Sequence, residues 1–210
     1  MKILIIDHAN CDPPHARSHQ LCLELAQHNV QAMVCGPASQ PILAAQPLGI
    51  FGIHLHDIAA ASQRLYAAID GGSAEALLAA IGSISPRLLG LLRETARQGI
   101  AESVDAVNPD VIFVMHAGIL AHLAIETGVP VALYVAASDL EHAHGAMKDF
   151  VLTSIGSCGG LATDSSQTTA IIHREWVDDI VVRKQPLLIA EENAASEIVA
   201  ICQQVIQSRA

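Results

Sequence analysis

Residues 1–36 read "MKILIIDHANCDPPHARSHQLCLELAQHNVQAMVCG", and the order of patterns within them decides the fold. Ile3, Leu4, Ile5 and Ile6 form an unbroken apolar run with no polar alternation. A strand covered on both faces reads this way, so the first strand is central in a sheet. After a polar loop, Leu21, Cys22, Leu25 and Ala26 make one helical stripe, and Asn29 is a suitable left-handed terminator. A second apolar run, residues 30–35, follows at once.

The same alternation continues down the chain. Further strands are expected at about residues 50–55, 111–115, 131–135, 160–163 and 180–182, with helical patterns between most of them. Strands separated by a dozen or more residues of helix cannot pair through tight turns, so the sheet is mostly parallel and doubly wound, an α/β, Rossmann-like class. The expected organisation is a single Rossmann-like domain over residues 1–210. Residues 58–108, rich in Ala and Leu, form a helical insertion with breaks at "DGGS" (70–73) and "SISP" (83–86). Its longest helix, residues 86–107, begins at a tolerated proline and stops before "NPD". A terminal helix at about 191–208 carries the stripe Ile198, Ile201, Cys202, Val205 and Ile206.

Composition excludes several classes of function. With 11 Lys and Arg against 21 Asp and Glu, the formal charge is −10, which would repel nucleic acid. Aromatic residues are only 3% of the chain, so the core is built of aliphatic side chains. Five cysteines without CxxC spacing argue against a disulfide framework or a structural zinc site and imply a reducing cytoplasm. The apolar run before Asp7 is too short for a signal peptide, and no transmembrane segment is read.

In an open parallel sheet, ligands bind beyond the carboxyl ends of the strands, where strand order reverses. The residues expected there are Asp7, His8 and Asn10 after the first strand, His116, Ala117 and Gly118 after the fourth, Ser138 and Asp139 after the fifth, and Asp164 and Ser165 after the sixth. Arg183 and Lys184 follow the last. Each has a bland role. Asp7 can satisfy loop amides, and Asp139, Asp164 or Ser165 can cap helices. The same positions favour a phosphate or a sugar hydroxyl, and His8 or His116 suits proton transfer near neutral pH.

Histidine is abundant, with 11 residues. His15 with His19, or His142 and His144 with Glu141, could share an ion, but HExxH and cysteine-bearing zinc signatures are missing, and no metal or other cofactor is expected. The sequence also lacks GxSxG, GxxxxGK[ST] and a GxGxxG after the first strand. Where a dinucleotide fold would place glycines stands "DPPHARS", whose prolines offer no N–H to a pyrophosphate. Asp110 precedes its strand instead of ending it, unlike a phospho-receiver aspartate.

Taken in order, residues 1–36, "NPDVIFVMHAGILAHLAIETGVPVALYVAASDL" (108–140) and "GGLATDSSQTTAIIHREWVDDIVVRKQPL" (159–187) resemble the amino-terminal, acceptor-side domain of GT-B fold glycosyltransferases of the retaining family-four kind. The resemblance implies substrate binding by His8, Asn10, His15, His116, Gly118, Ser138, Asp139, Asp164 and Ser165. It also implies a nucleotide-sugar donor and an acceptor shared with a missing carboxy-terminal domain, and inactivity without that domain. There are departures. The family's loop glycine pair is absent from "CDPPHARSHQ", and its "HGSD" histidine and glycine fall on Ala136 and Ala137, leaving Ser138 and Asp139. Glu191, Glu192 and Glu197 do not reproduce the acidic pair of the family's second domain. The alternative expectation is a non-catalytic, degenerate module whose terminal helix meets a partner or a second copy in a homodimer.

Overall fold

The computed structural model describes residues 1–9, 17–38, 50–55, 58, 62–175, 186–189 and 193–208. Seven parallel strands make one sheet: β1 (Lys2–Ile6), β2 (Gln31–Ala38), β3 (Ile50–His54), β4 (Val111–Val114), β5 (Val131–Val135), β6 (Gly160–Thr163) and β7 (Leu187–Leu188), in the order β3-β2-β1-β4-β5-β6-β7. The α/β class and the parallel pairing are therefore as read from the sequence. Register pairs Ile3 with Val111 and Ile6 with both Cys35 and Val114, which puts β1 at the centre.

Helices cover both faces. On one lie α4 (Pro86–Val107), α5 (Ile119–Glu126) and α7 (Ala146–Ser157), joined by the short pair α2 (Gln63–Asp70) and α3 (Ala74–Ile81). On the other lie α1 (Arg17–Gln27) and α9 (Ala194–Gln207). Two small helices, α6 (Ala137–Glu141) and α8 (Ser166–Glu175), follow β5 and β6. Each residue of β1 from Ile3 to Ile6 is fully buried, odd positions facing one helical layer and even positions the other. At about 25 cal/mol per Å² of apolar surface, such burial on two faces is the main drive for folding.

Local signals start and stop the helices. The Ser62, Ser73 and Ser85 hydroxyls accept from the Leu65, Ala76 and Leu88 amides at 3.4, 3.3 and 3.3 Å, capping α2, α3 and α4. Each cap contributes about 1 kcal/mol. Asn29 and Asn108 take left-handed φ of 57° and 47° just past α1 and α4.

Several expectations need correcting. Ala26 is exposed, so the α1 stripe is Leu21, Cys22 and Leu25 together with His19, which is buried. Within the residues read as a helical insertion, α4 packs on β3, β1 and β2 and forms the crossover from β3 to β4. β7 at Leu187–Leu188 was not foreseen, while the strand read at 180–182 lies outside the described residues. The apolar stripe of α9 is occupied internally. Ile201 and Val205 close on β6 so tightly that a Cβ on Gly160 would sit 2.6 Å from Val205 Cγ2 and 2.9 Å from Ile201 Cγ1. That face cannot also serve a partner. No described helix is long and apolar enough to cross a membrane.

Candidate functional site

Strand order reverses between β1 and β4, which run outward in opposite senses of connection. The chain leaves β1 for α1 on one face and β4 for α5 on the other, and an open cleft of about 1190 Å³ lies at that point. Its floor includes Phe113, Met115 and Tyr134 from β4 and β5 and their ends; one wall comes from Arg17, Gln20 and Glu24 of α1, another from Asp70 to Glu75 at the α2–α3 junction. Asp7, His116, Ala136 and Ser138 stand at the strand ends.

The best organised group is a pair. Asp139, 1% exposed, holds His116 Nδ1 with Oδ1 at 2.8 Å. Its Oδ2 accepts the Ala117 amide at 2.9 Å and the Ala136 amide at 3.0 Å. One carboxylate therefore ties the end of β4 to the start of α6 and fixes the imidazole. In the neutral ring this makes Nδ1 the protonated nitrogen and leaves Nε2 as an acceptor. Burial pulls the His116 pKa down, but the hydrogen bond and charge of Asp139, with Asp7 and Glu75 further off, outweigh it and the net shift is upward. Asp139 was expected as a helix cap or a ligand contact. It stands third in α6 and caps the helix from there, its Oδ2 accepting the amide of Ala136, the residue before the first turn.

Asp7, 2% exposed, accepts the Ala9 amide at 2.9 Å, and burial raises its pKa against the opposing pull of that bond and of His116, Ser18 and Arg17. His8 is 1% exposed and its ring meets that of His116 edge-on with centroids 6.1 Å apart. Its Nε2 accepts the Leu120 amide at 3.3 Å, while Nδ1 has no partner. Burial, then His116, hold its pKa well below the usual value. His8 is thus a neutral structural ring and unsuited to proton transfer near neutral pH. Gly118 is needed beside it, because a Cβ there would lie 2.8 Å from Leu78 Cδ2 and 3.1 Å from His8 Nε2.

Asp164 and Ser165 form a second tier. Asp164 Oδ2 accepts the Ala137 amide at 3.1 Å and Oδ1 accepts the Thr168 hydroxyl, while the Ser165 hydroxyl accepts the Thr168 amide at 3.1 Å, a capping role for α8. Neither lines the cleft. His8, His116, Asp139 and Asp164 therefore share one sheet edge, but among the described residues of the expected set only Asp7, His116 and Ser138 are on the cleft wall. Asn10, His15, Arg183, Lys184, Glu191 and Glu192 lie outside the described residues. Among the described residues, no group of three or more His, Cys, Asp or Glu could hold a metal ion. Sequence reasoning missed Arg17, Asp70, Glu75 and Tyr134. "DGGS" carried a signal for Asp70 that was spent on chain breaking; nothing local marks the others.

No protein-family model matches this chain, and no curated protein matches it. Solved structures do. A sucrose-phosphate synthase structure from Thermosynechococcus elongatus aligns over all of both chains with a TM-score of 0.59 at 11% identity. The UDP-GlcNAc 2-epimerase of Methanocaldococcus jannaschii aligns over all of this chain and 51% of its own, with a TM-score of 0.53 at 12% identity. The fold is that of a GT-B amino-terminal domain. This chain spans about half the length of the epimerase chain. SsfS6, a Streptomyces sp. SF2575 glycosyltransferase, is a looser likeness, covering 74% of this chain and 44% of its own, with a TM-score of 0.41 at 15% identity.

Proposed function

We propose that this GT-B half is the acceptor-side domain of a glycosyltransferase, working against a second domain that carries the nucleotide-sugar donor. The observation that carries the reading is the cleft at the strand-order reversal, open on one side and bearing a fixed imidazole on its wall. A cleft made by one domain can seat an acceptor but cannot exclude water from a transfer step; closure against a second domain would supply both orientation and dryness. In the transfer, the acceptor oxygen bonds to the sugar's anomeric carbon as the bond from that carbon to the donor phosphate breaks. The donor phosphate leaves with the bonding electron pair, and the hydroxyl proton passes to His116 Nε2, the ring nitrogen that Asp139 leaves free to accept it. Ala136, in the position of the family histidine, offers no side-chain contact to donor phosphate, and loss of such a contact typically costs about 3 kcal/mol of transition-state stabilisation.

Calorimetry of the 210-residue chain with nucleotide sugars, alongside transfer assays with a GT-B carboxy-terminal domain joined to it, tests the division of labour. The expected result is no tight donor binding by the chain alone and transfer only in the joined protein. Tight donor binding by residues 1–210 contradicts it.

The second reading, a non-catalytic assembly module, now rests on a different surface. Leu187 and Leu188 of β7 are 38% and 50% exposed at the end of the sheet. An apolar edge strand is a pairing site unless it is covered. Light scattering of Leu188→Lys against the parent chain reads this: a parent dimer that the substitution dissolves favours assembly through β7.

A further inference from the structure

The chemistry of the cleft walls restricts what it can hold, on the reading of the cleft as an acceptor site. Among the described residues, four carboxylates line it, those of Asp7, Glu24, Asp70 and Glu75, against one guanidinium, that of Arg17. His116 does not redress the balance. When neutral it presents Nε2 as an acceptor, and when charged it is paired with Asp139 at 2.8 Å. The polar side chains are thus mostly acceptors, and they call for a ligand rich in O–H or N–H donors. A phosphate dianion offers acceptors only and brings two negative charges up to the exposed carboxylates of Asp70 and Glu75. The floor of Phe113, Met115 and Tyr134 gives an apolar plane for the carbon face of a ring.

We propose that the cleft takes an uncharged or amine-bearing polyol as the acceptor and discriminates against phosphorylated sugars. Asp70 and Glu75, exposed at the α2–α3 junction, supply the discrimination by repulsion, and His116 takes a hydroxyl of the bound polyol.

The test uses the 210-residue chain with ¹⁵N-labelled histidine and three probes: methyl α-glucoside, glucosamine and glucose 6-phosphate. The His116 ring resonance should move with the first two, at concentrations about tenfold below that needed for the phosphorylated sugar, a ratio set by like-charge repulsion. The double variant Asp70→Asn, Glu75→Gln, at exposed positions where folding is not at stake, should narrow that ratio severalfold. The proposal is overturned if glucose 6-phosphate binds as tightly as the neutral probe, if no probe moves His116 up to its solubility limit, or if the double variant leaves the ratio unchanged. These outcomes are separate from those of the transferase reading. Donor binding by the chain or inactivity of the joined protein removes that reading without altering the ranking of probes.

Discussion

His116 and Asp139 lie 23 residues apart in sequence and meet through an Nδ1 to Oδ1 contact of 2.8 Å across the ends of β4 and β5. The aspartate is fully used, with two backbone amides on its other oxygen. A carboxylate holding three N–H groups in a buried setting fixes ring position and charge together.

Asp139→Asn removes the charge while keeping most of the shape. One amide oxygen cannot serve three donors, so stability should fall by about 1–3 kcal/mol. The His116 pKa, read by NMR, should drop once its main support is gone. A pKa unchanged in the variant would show that Asp139 does not govern the ring.

Acid sensitivity should come from His8. Its folded pKa is depressed, so the unfolded chain binds the proton more readily, and stability is lost as pH falls below about 6.5 toward the folded value. His116 acts oppositely. With a raised folded pKa, its contribution is present below about 6.5 and is lost as pH rises through the folded value. Denaturation across this range should show His8→Gln, whose amide oxygen can still accept from Leu120, losing less stability on acidification than the parent, by up to about 1.4 kcal/mol per pH unit.

Three glycines with different surroundings make a graded test. Gly118→Ala and Gly160→Ala should each cost about 1–3 kcal/mol, because the new methyl would meet Leu78 and His8 in one case and Val205 and Ile201 in the other. Gly90 on α4 has nothing within 4 Å, so Gly90→Ala should stabilise by up to about 1 kcal/mol. Thermal or urea unfolding of the three variants checks the order.

Burial pushes the Cys22, Cys35 and Cys202 thiols up to about 12. The thiolate is the reactive form, so in native buffer a thiol-specific disulfide reagent should leave these three unlabelled for as long as the fold persists and label them rapidly in denaturant. Fast native labelling at Cys35 would mean that the core opens on its β2 and β3 side.

Much of the fold was legible because parallel, buried strands leave an unmistakable trace. The run at Ile3 to Ile6, the breaks at residues 70–73 and 83–86 and the proline that opens α4 are local signals, and the structure follows them. The misread parts depend on three-dimensional packing. Nothing in residues 86–107 says which strands that helix covers, and β7 has two residues, too few for any period. The candidate site divides the same way. Strand-end positions of His8, His116, Asp139 and Asp164 follow from topology, but which of them faces the cleft follows from side-chain direction. The cleft's opposite wall, Asp70 to Glu75, arrives from a helix pair whose placement the sequence leaves open.

The central claim is that ligand enters at the carboxyl ends of β1, β4 and β5, against His116. Residue-resolved NMR titration of the 210-residue chain with a neutral glycoside tests it most directly. Amide shifts clustered at Ala9, Ala74, Met115, His116 and Ser138 are predicted. Shifts confined to the other end of the sheet, around Asp110, Gly128 and Gly159, would contradict it.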